Sequence, residues 1–407
     1  MKGKAPAIVV ITAAVAAGLA WPWFVATRSA RATAVQTAPV NADYRLRDRR
    51  ITFYEREVRR DPQDQIVLAT LAGEHLQRFR ETGDLADAMR ARALGLRSLQ
   101  IQRAGNVGAF NVLASADLAF HNFDEAQRAE EQAIEAFPFD DGARAQLASI
   151  LMERGRYAQA DRLLLHPRDV APSITWLAVR ARYNELAGNL SGARVELDRA
   201  TARADQMLAI SAYARSWFHM RSGQLAFEDG DGRAAEAQFV EALRIFPDSA
   251  AAHFGLAKLY RARGDWSHAL LEATRSAQLY PLPATLAYQA DAQRALGDER
   301  AAAQTDALID AERRVFNAQG VNDREIALYY AQRRTHLDDA LRMARADIAK
   351  RGDEIYADDA MAWILAAKGR WQEARTYSIR ALRLGSQDPM LQYHAAVIAM
   401  HTGRTVR

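Results

Sequence analysis

The feature that most constrains this chain is a spacing. Glycines stand at 83, 155, 188, 230, 264, 297 and 369, and His121 and Thr335 fill two further places in the series, at intervals of 38, 34, 33, 42, 34, 33, 38 and 34 residues. Five residues after every member comes an alanine: Ala88, Ala126, Ala160, Ala193, Ala235, Ala269, Ala302, Ala340 and Ala374. Seven residues before, a small residue recurs at Ala114, Ala148, Ala181, Gly223, Ala257, Ala290 and Ala362, broken by Leu76 and Leu328. Twelve residues after come Gly95, Ala133, Ala200, Ala242, Ser276 and Ala381, and seventeen after come Pro138, Pro172, Pro247 and Pro281. Such a period marks a stack of like units, none of which can bury its apolar face alone.

Helix packing explains the columns. Two helices approach closely only where small side chains occupy the crossing point. One small column precedes the glycine and one follows it, so each unit reads as an antiparallel helix pair crossing at these positions. The glycine supplies the tight turn between the helices, where positive φ is often needed. Proline cannot continue a helix and closes the second one. With 11 prolines in 407 residues and few β-branched runs beyond the first 15, the composition agrees with helix throughout.

These columns resemble the tetratricopeptide repeat (TPR). The unit at 250–283 carries Leu256-Ala257, Tyr260, Gly264-Asp265-Trp266, Ala269 and Pro281; units near 107–140, 141–173, 216–249 and 355–388 match well, and those at 69–106, 174–215, 283–320 and 321–354 are degenerate. The resemblance covers residues 69–388, about four fifths of the chain. It implies an all-α fold, a right-handed α-α superhelix (TPR solenoid) of about nine helix pairs. It also implies that Trp266 and Trp371, two residues after the turn glycine, are core residues. The segment Phe79-Arg80-Glu81-Thr82-Gly83-Asp84 and the insertion Phe316–Arg324 are similar to exported bacterial TPR proteins of uncharacterised role.

An N-terminal hydrophobic helix is expected before the repeats. Lys2 and Lys4 precede an uncharged stretch whose run from Ala7 to Ala26 is 20 residues, enough to span a bilayer. A signal anchor would keep it in the membrane with Trp21 and Trp23 near an interface; a cleavable signal would be cut after Ala32, behind Ala30-Arg31-Ala32. Both readings export residues 33–407, to an inner-membrane-anchored position facing the periplasm or to a periplasmic or secreted form. Residues 33–44 read as a linker and 45–62 as an amphipathic capping helix built on Ile51, Phe53, Tyr54 and Val58. Residues 389–407 read as half a repeat, an apolar helix with Leu391, Tyr393, Val397, Ile398 and Met400 that invites self-association.

Charge and motifs narrow the function. Residues 1–32 hold Lys2, Lys4, Arg28 and Arg31 and no acid, so removing these four from 54 bases leaves a body with 50 bases and 50 acids. That neutral body opposes nucleic-acid binding. Cysteine is absent, which excludes disulfides, thiolate metal sites and a cysteine nucleophile. No phosphate-cradling loop and no His-Glu-x-x-His occurs. Asp229-Gly230-Asp231-Gly232 fails as a calcium loop because Arg233 stands where an oxygen ligand belongs, and it coincides with a repeat turn. His219 and His253, one repeat apart, read as packing residues ahead of a metal pair, and Asp140-Asp141, Asp338-Asp339 and Asp358-Asp359 read as helix-start residues that complement the dipole. No catalytic residue, metal or cofactor is expected.

TPR arrays usually bind peptides on the concave face lined by the first helix of each pair. Carried over position by position, the resemblance implies Trp217, Met220, Gln224 and Phe227 in one unit, Phe254, Lys258 and Arg261 in the next, and Asp291 and Arg294 after that, followed by Glu325, Tyr329 and Arg333. Apolar anchors beside arginines suit a peptide groove. The residues of a carboxylate clamp are not supplied, as Met220 and Gln224 illustrate. The expected role is a scaffold for protein or peptide partners at the bacterial cell envelope; the alternatives are a non-catalytic accessory subunit of an envelope enzyme complex and an RNA-binding helical repeat.

Overall fold

The computed structural model describes residues 42–165, 167, 172–318 and 324–403. The hydrophobic N-terminal segment, its cleavage site and most of the linker lie outside the described residues, as do 404–407. Among the described residues there are 20 α-helices and no strand, and no helix is long and apolar enough to cross a membrane.

A short 3-10 turn, Asp43–Leu46, leads into α1 (Arg47–Arg60), which packs on α2. Nine helix pairs follow: α2 (Gln65–Thr82) with α3 (Leu85–Ile101), α4 (Val107–Ala119) with α5 (Phe123–Ala136), α6 (Asp141–Glu153) with α7 (Tyr157–Leu164), α8 (Ile174–Leu186) with α9 (Leu190–Gln206), and α10 (Ala212–Glu228) with α11 (Gly232–Ile245). Then come α12 (Ala250–Ala262) with α13 (Trp266–Leu279), α14 (Pro283–Ala295) with α15 (Glu299–Ala318), α16 (Arg324–Arg333) with α17 (Leu337–Arg351), and α18 (Ile355–Ala367) with α19 (Trp371–Ala381). α20 (Pro389–His401) is a further first helix.

The small columns sit where the packing argument puts them. All nine alanines five residues after the turn are 3% exposed or less. Side chains cap many helices: Asp64, Asp84, Asp140, Ser173, Ser211 and Asp388 accept hydrogen bonds from first-turn N–H groups. The turn column has positive φ at its glycines and at His121, but in the α16–α17 unit the left-handed residues are Arg334 and His336, not Thr335. This turn is displaced from the series, and side chains carry its strain. Trp266 and Trp371 are half-buried rather than core; Trp371 stacks on His401 with ring centroids 3.8 Å apart. Asp358 and Asp359 do not cap α18, since Glu354 does; both are buried, against Arg380 and Arg383 and against His394.

The solenoid coils back on itself with a fixed register. A Cβ placed on Gly83 would overlap the Tyr280 ring, one on Gly155 would stand 2.2 Å from the Asp353 carbonyl oxygen, and one on Gly188 would stand 2.1 Å from that of Gly385. The intervals are 197, 198 and 197 residues. In each case the turn within one unit meets the junction that opens the unit six places later. The Ile355 N–H donates to the Tyr157 hydroxyl at 2.9 Å, and Arg351 pairs with Glu153, both across 198 residues. At the intervening unit, the Arg351 guanidinium lies 4.7 Å from the Phe123 ring centroid. At the N-terminal end, Tyr44 packs edge-on against Phe246 at 5.0 Å, and Asp43 accepts from the Ala212 N–H at 3.0 Å. Successive superhelical turns are therefore stacked in direct contact, with a seam between them. Ile355 and Leu391 of the later turn share one apolar core with Tyr157, Leu164 and Trp176 of the earlier one.

Candidate binding surface on the inner face

The first helices bring their side chains together across the interior. Glu185 of α8 is bridged by Arg182 on its own helix and by Arg221 of α10 at 2.6 Å; Arg221 also donates to Gln224. The Arg182 guanidinium lies 5.4 Å from the ring centre of Tyr356, on α18 of the next superhelical turn, and the Tyr356 hydroxyl donates to Asp388 at 3.2 Å. Burial opposes the Glu185 charge, but the two arginines hold its carboxyl below its usual range. Burial and then the Glu185 carboxylate push Glu228 up to about 7. Burial pulls the Lys258 ammonium down, against the fields of Glu228 and Asp388. Helices α8, α10, α12, α18 and α20 thus share one electrostatic interior.

The sequence-derived groove residues divide in two. Trp217 and Met220 are 8% and 5% exposed and belong to the core, with Phe227 packed half-buried against it. They have little area to offer a partner. Phe254, Lys258, Arg261, Asp291 and Arg294 form one surface. Phe254 meets Tyr288 edge-on at 5.1 Å, the Lys258 ammonium lies 5.2 Å from the Phe254 centroid, and Arg261 lies 4.5 Å from that of Tyr288. Asp291 pairs with Arg261 at 3.3 Å and with Arg333 at 2.5 Å, and Arg294 pairs with Asp306, which accepts from Tyr329. Sequence reasoning missed Arg182, Glu185, Arg221, Glu228, Tyr288, Tyr356 and Asp388. Arg182 holds the place in its unit that Lys258 holds in its own, so the register itself was the available signal.

The two histidines are hydrogen-bonded packing residues. His219 meets Gln238 at 2.8 Å and Asp205 at 3.1 Å; His253 meets Glu272 at 2.5 Å. Each partner on the second helix lies 19 residues on, so the pair is one repeated contact. No group of three metal-ligating side chains occurs among the described residues. On α20, Leu391, His394, Ala395 and Ile398 are buried while Met390, Tyr393 and Met400 are exposed, giving an apolar stripe at the inner-face positions of that helix. The expected subunit contact through α20 rests on this stripe.

Tetratricopeptide repeat models match residues 111–163 and 220–283. The chain carries tetratricopeptide repeats. The match falls on the units at 107–140, 141–173, 216–249 and 250–283 and does not reach that at 355–388. Human IFIT1 in a dimer with PPP-AAAA is similar in fold, with a TM-score of 0.51 at 14% identity over 79% of this chain and 73% of that one. A monomeric IFIT1 mutant with Gppp-AAAA gives 0.51 at 13% identity over 79% and 71%. A chain of the APC/C hetero-tetramer Cut9-Hcn1 gives 0.48 at 12% identity; 83% of the TPR chain is covered, but it spans only 56% of that chain's length. The two IFIT1 likenesses speak to the fold alone. No curated protein matches the sequence.

Proposed function

We propose that this TPR protein is a non-catalytic scaffold at the bacterial cell envelope that holds a protein or peptide partner on its inner face. TPR folds generally serve protein–protein interaction. The observation that carries the reading is the lining around Phe254, Lys258, Arg261 and Tyr288, where aromatic faces alternate with cations on adjacent first helices. Nucleic acid is disfavoured by a body in which 50 bases balance 50 acids. The envelope location rests on the basic, then apolar, N-terminus, which export would place outside the cytoplasm as an anchor or as a cleaved signal.

The test is affinity purification of the full chain from detergent-solubilised membranes of its native host, beside the double variant Lys258→Glu, Arg261→Glu. Envelope proteins retained by the native chain and lost from the variant support the reading. Identical retention by both moves the binding surface elsewhere, and recovery in the cytosolic fraction alone removes the envelope location.

A further inference from the structure

Glu130 is a core residue with no partner for its carboxyl. It lies on α5, is fully enclosed at 0% exposure, and neither oxygen has a hydrogen-bond partner among the described residues. Its place in the repeat explains the enclosure. Nine residues after the turn, the three following units carry Leu164, Leu197 and Phe239, each 3% exposed or less. Two charged residues hold the same place elsewhere, and both are paired. Arg92, one unit earlier, meets Asp117 at 2.7 Å; Asp306, five units later, pairs with Arg294 and accepts from the Tyr329 hydroxyl.

The helices packed on α5 are α4 and α6, and their charges are engaged elsewhere. Asp117 of α4 belongs to Arg92. On α6, Arg144 pairs with Asp141 at 3.3 Å, and Arg154 at its end pairs with Asp124 at 2.6 Å. On α5 itself, Arg128 pairs with Glu125, and Glu131 and Glu135 are exposed. The charge that bears on Glu130 is Asp140, which caps α6 and has the same sign. An enclosed carboxylate without a donor is far costlier than the enclosed acid. Burial, and then Asp140, accordingly hold the Glu130 carboxyl well above the usual carboxylate range. The acid can stay in the core, whereas the carboxylate has to reach water.

α5 is placed to let it do so. It is an outer helix, with Glu125, Arg128 and Glu131 exposed. A unit of a repeat array packs mainly on its neighbours, so one helix can open without unfolding the rest. Its seated face covers Phe110 and Leu113 through Ala133, and Leu118 and Ile150 through Phe123 and Ala126. The Phe123 ring also lies 4.7 Å from the Arg351 guanidinium of the next superhelical turn.

We propose that α5 is a pH-operated latch on the first superhelical turn, seated while Glu130 carries a proton and opening locally as the carboxyl ionises, which uncovers the apolar faces of α4 and α6 and takes Phe123 from Arg351. As a second helix, α5 lies off the inner face, so the latch stands apart from the partner surface. In the open form the carboxyl is an ordinary glutamic acid with a pKa of about 4.3. Closure is strongest below that value and weakens as pH rises, the opening constant growing about tenfold per pH unit until the raised value is passed.

Site-resolved hydrogen exchange on the full chain between about pH 5 and 8 tests this. Protection factors, which exclude the intrinsic pH dependence of exchange, are expected to fall about tenfold per pH unit for the α5 amides of the native chain. In Glu130→Gln, neutral at every pH, those amides should show no such fall. Glu130→Leu, which installs the residue of the next two units and leaves no polar atom to satisfy, should be equally flat and keeps the comparison if the glutamine amide is not accommodated. The amides of α12 and α13 should be protected alike in all three chains. A native α5 whose protection is independent of pH, or falls alike in the variants, overturns the latch. A fall that is equally steep in α12 and α13 and vanishes there in the variants overturns it as well, because the whole array would then be opening.

Discussion

Gly188 and Gly264 are the same residue in the same turn with almost the same backbone, φ +73° and +74°, and they differ only in what a side chain would meet. Nothing lies within 4 Å of a Cβ on Gly264, whereas one on Gly188 would stand 2.1 Å from the Gly385 oxygen and 3.0 Å from its carbonyl carbon. Gly264→Ala should therefore cost only the left-handed backbone penalty, about 1–2 kcal/mol. Gly188→Ala pays the same and must also separate two stretches of backbone by about 1 Å. Neither stretch can rotate away as a side chain would, which adds roughly 1–3 kcal/mol, the range for overpacking. Equilibrium urea unfolding followed by circular dichroism compares the two midpoints. Gly155→Ala should fall with Gly188→Ala, and Gly230→Ala, Gly297→Ala and Gly369→Ala with Gly264→Ala, because their Cβ positions are open. Equal destabilisation across both groups would refute the stacked seam.

Two pH experiments probe buried charges. Asp87 is 1% exposed; burial raises its carboxyl, but hydrogen bonds from His75 at 2.8 Å and from Arg78 outweigh this and hold it well below the carboxylate range. Its stabilisation is present above about pH 4 and lost as pH falls through the depressed value, so Asp87→Asn should cost about 2–3 kcal/mol at pH 7 and flatten the acid limb of the stability curve. Glu228 has the opposite sign: with its carboxyl raised from 4.5 to about 7, folding stability falls as pH rises between those values. Glu228→Gln should remove that decline and gain about 2 kcal/mol at pH 8, after discounting for partial solvent access. Urea midpoints from pH 4 to 8 check both variants, and parallel curves for Glu228→Gln and the native chain would remove Glu228 as the titrating group.

The repeat architecture was legible because it is local. Ala269 or Ala374 is small for one reason, the helix crossing inside its own unit, and that reason recurs every 33 to 42 residues. The displaced turn at Arg334 was hidden because Thr335 keeps the spacing while its neighbours take the left-handed conformations. The seam is another matter. Gly83, Gly155 and Gly188 look like Gly264 in the sequence, and only the summed rotation of six units brings Tyr280, Asp353 and Gly385 against them. The inner face was half legible for the same reason. The register put Lys258 and Arg261 on the lining but not the depth at which Trp217 and Met220 are buried, nor the arrival of Tyr356 from the next turn beside Arg182.

The seam is tested most directly at one amide. Ile355 is the first residue of α18, where a helix leaves its N–H groups without an intrahelical acceptor. Here the acceptor is the Tyr157 hydroxyl, 2.9 Å away and 198 residues earlier in the chain. Site-resolved hydrogen exchange should find the Ile355 amide protected in the native chain and exchanging at least roughly tenfold faster in Tyr157→Phe, the loss of one buried hydrogen bond. The other amides of α18 should be left unchanged. An Ile355 amide that exchanges as freely in the native chain as in the variant would mean that the turns do not touch, and the stacked superhelix would fall with that contact.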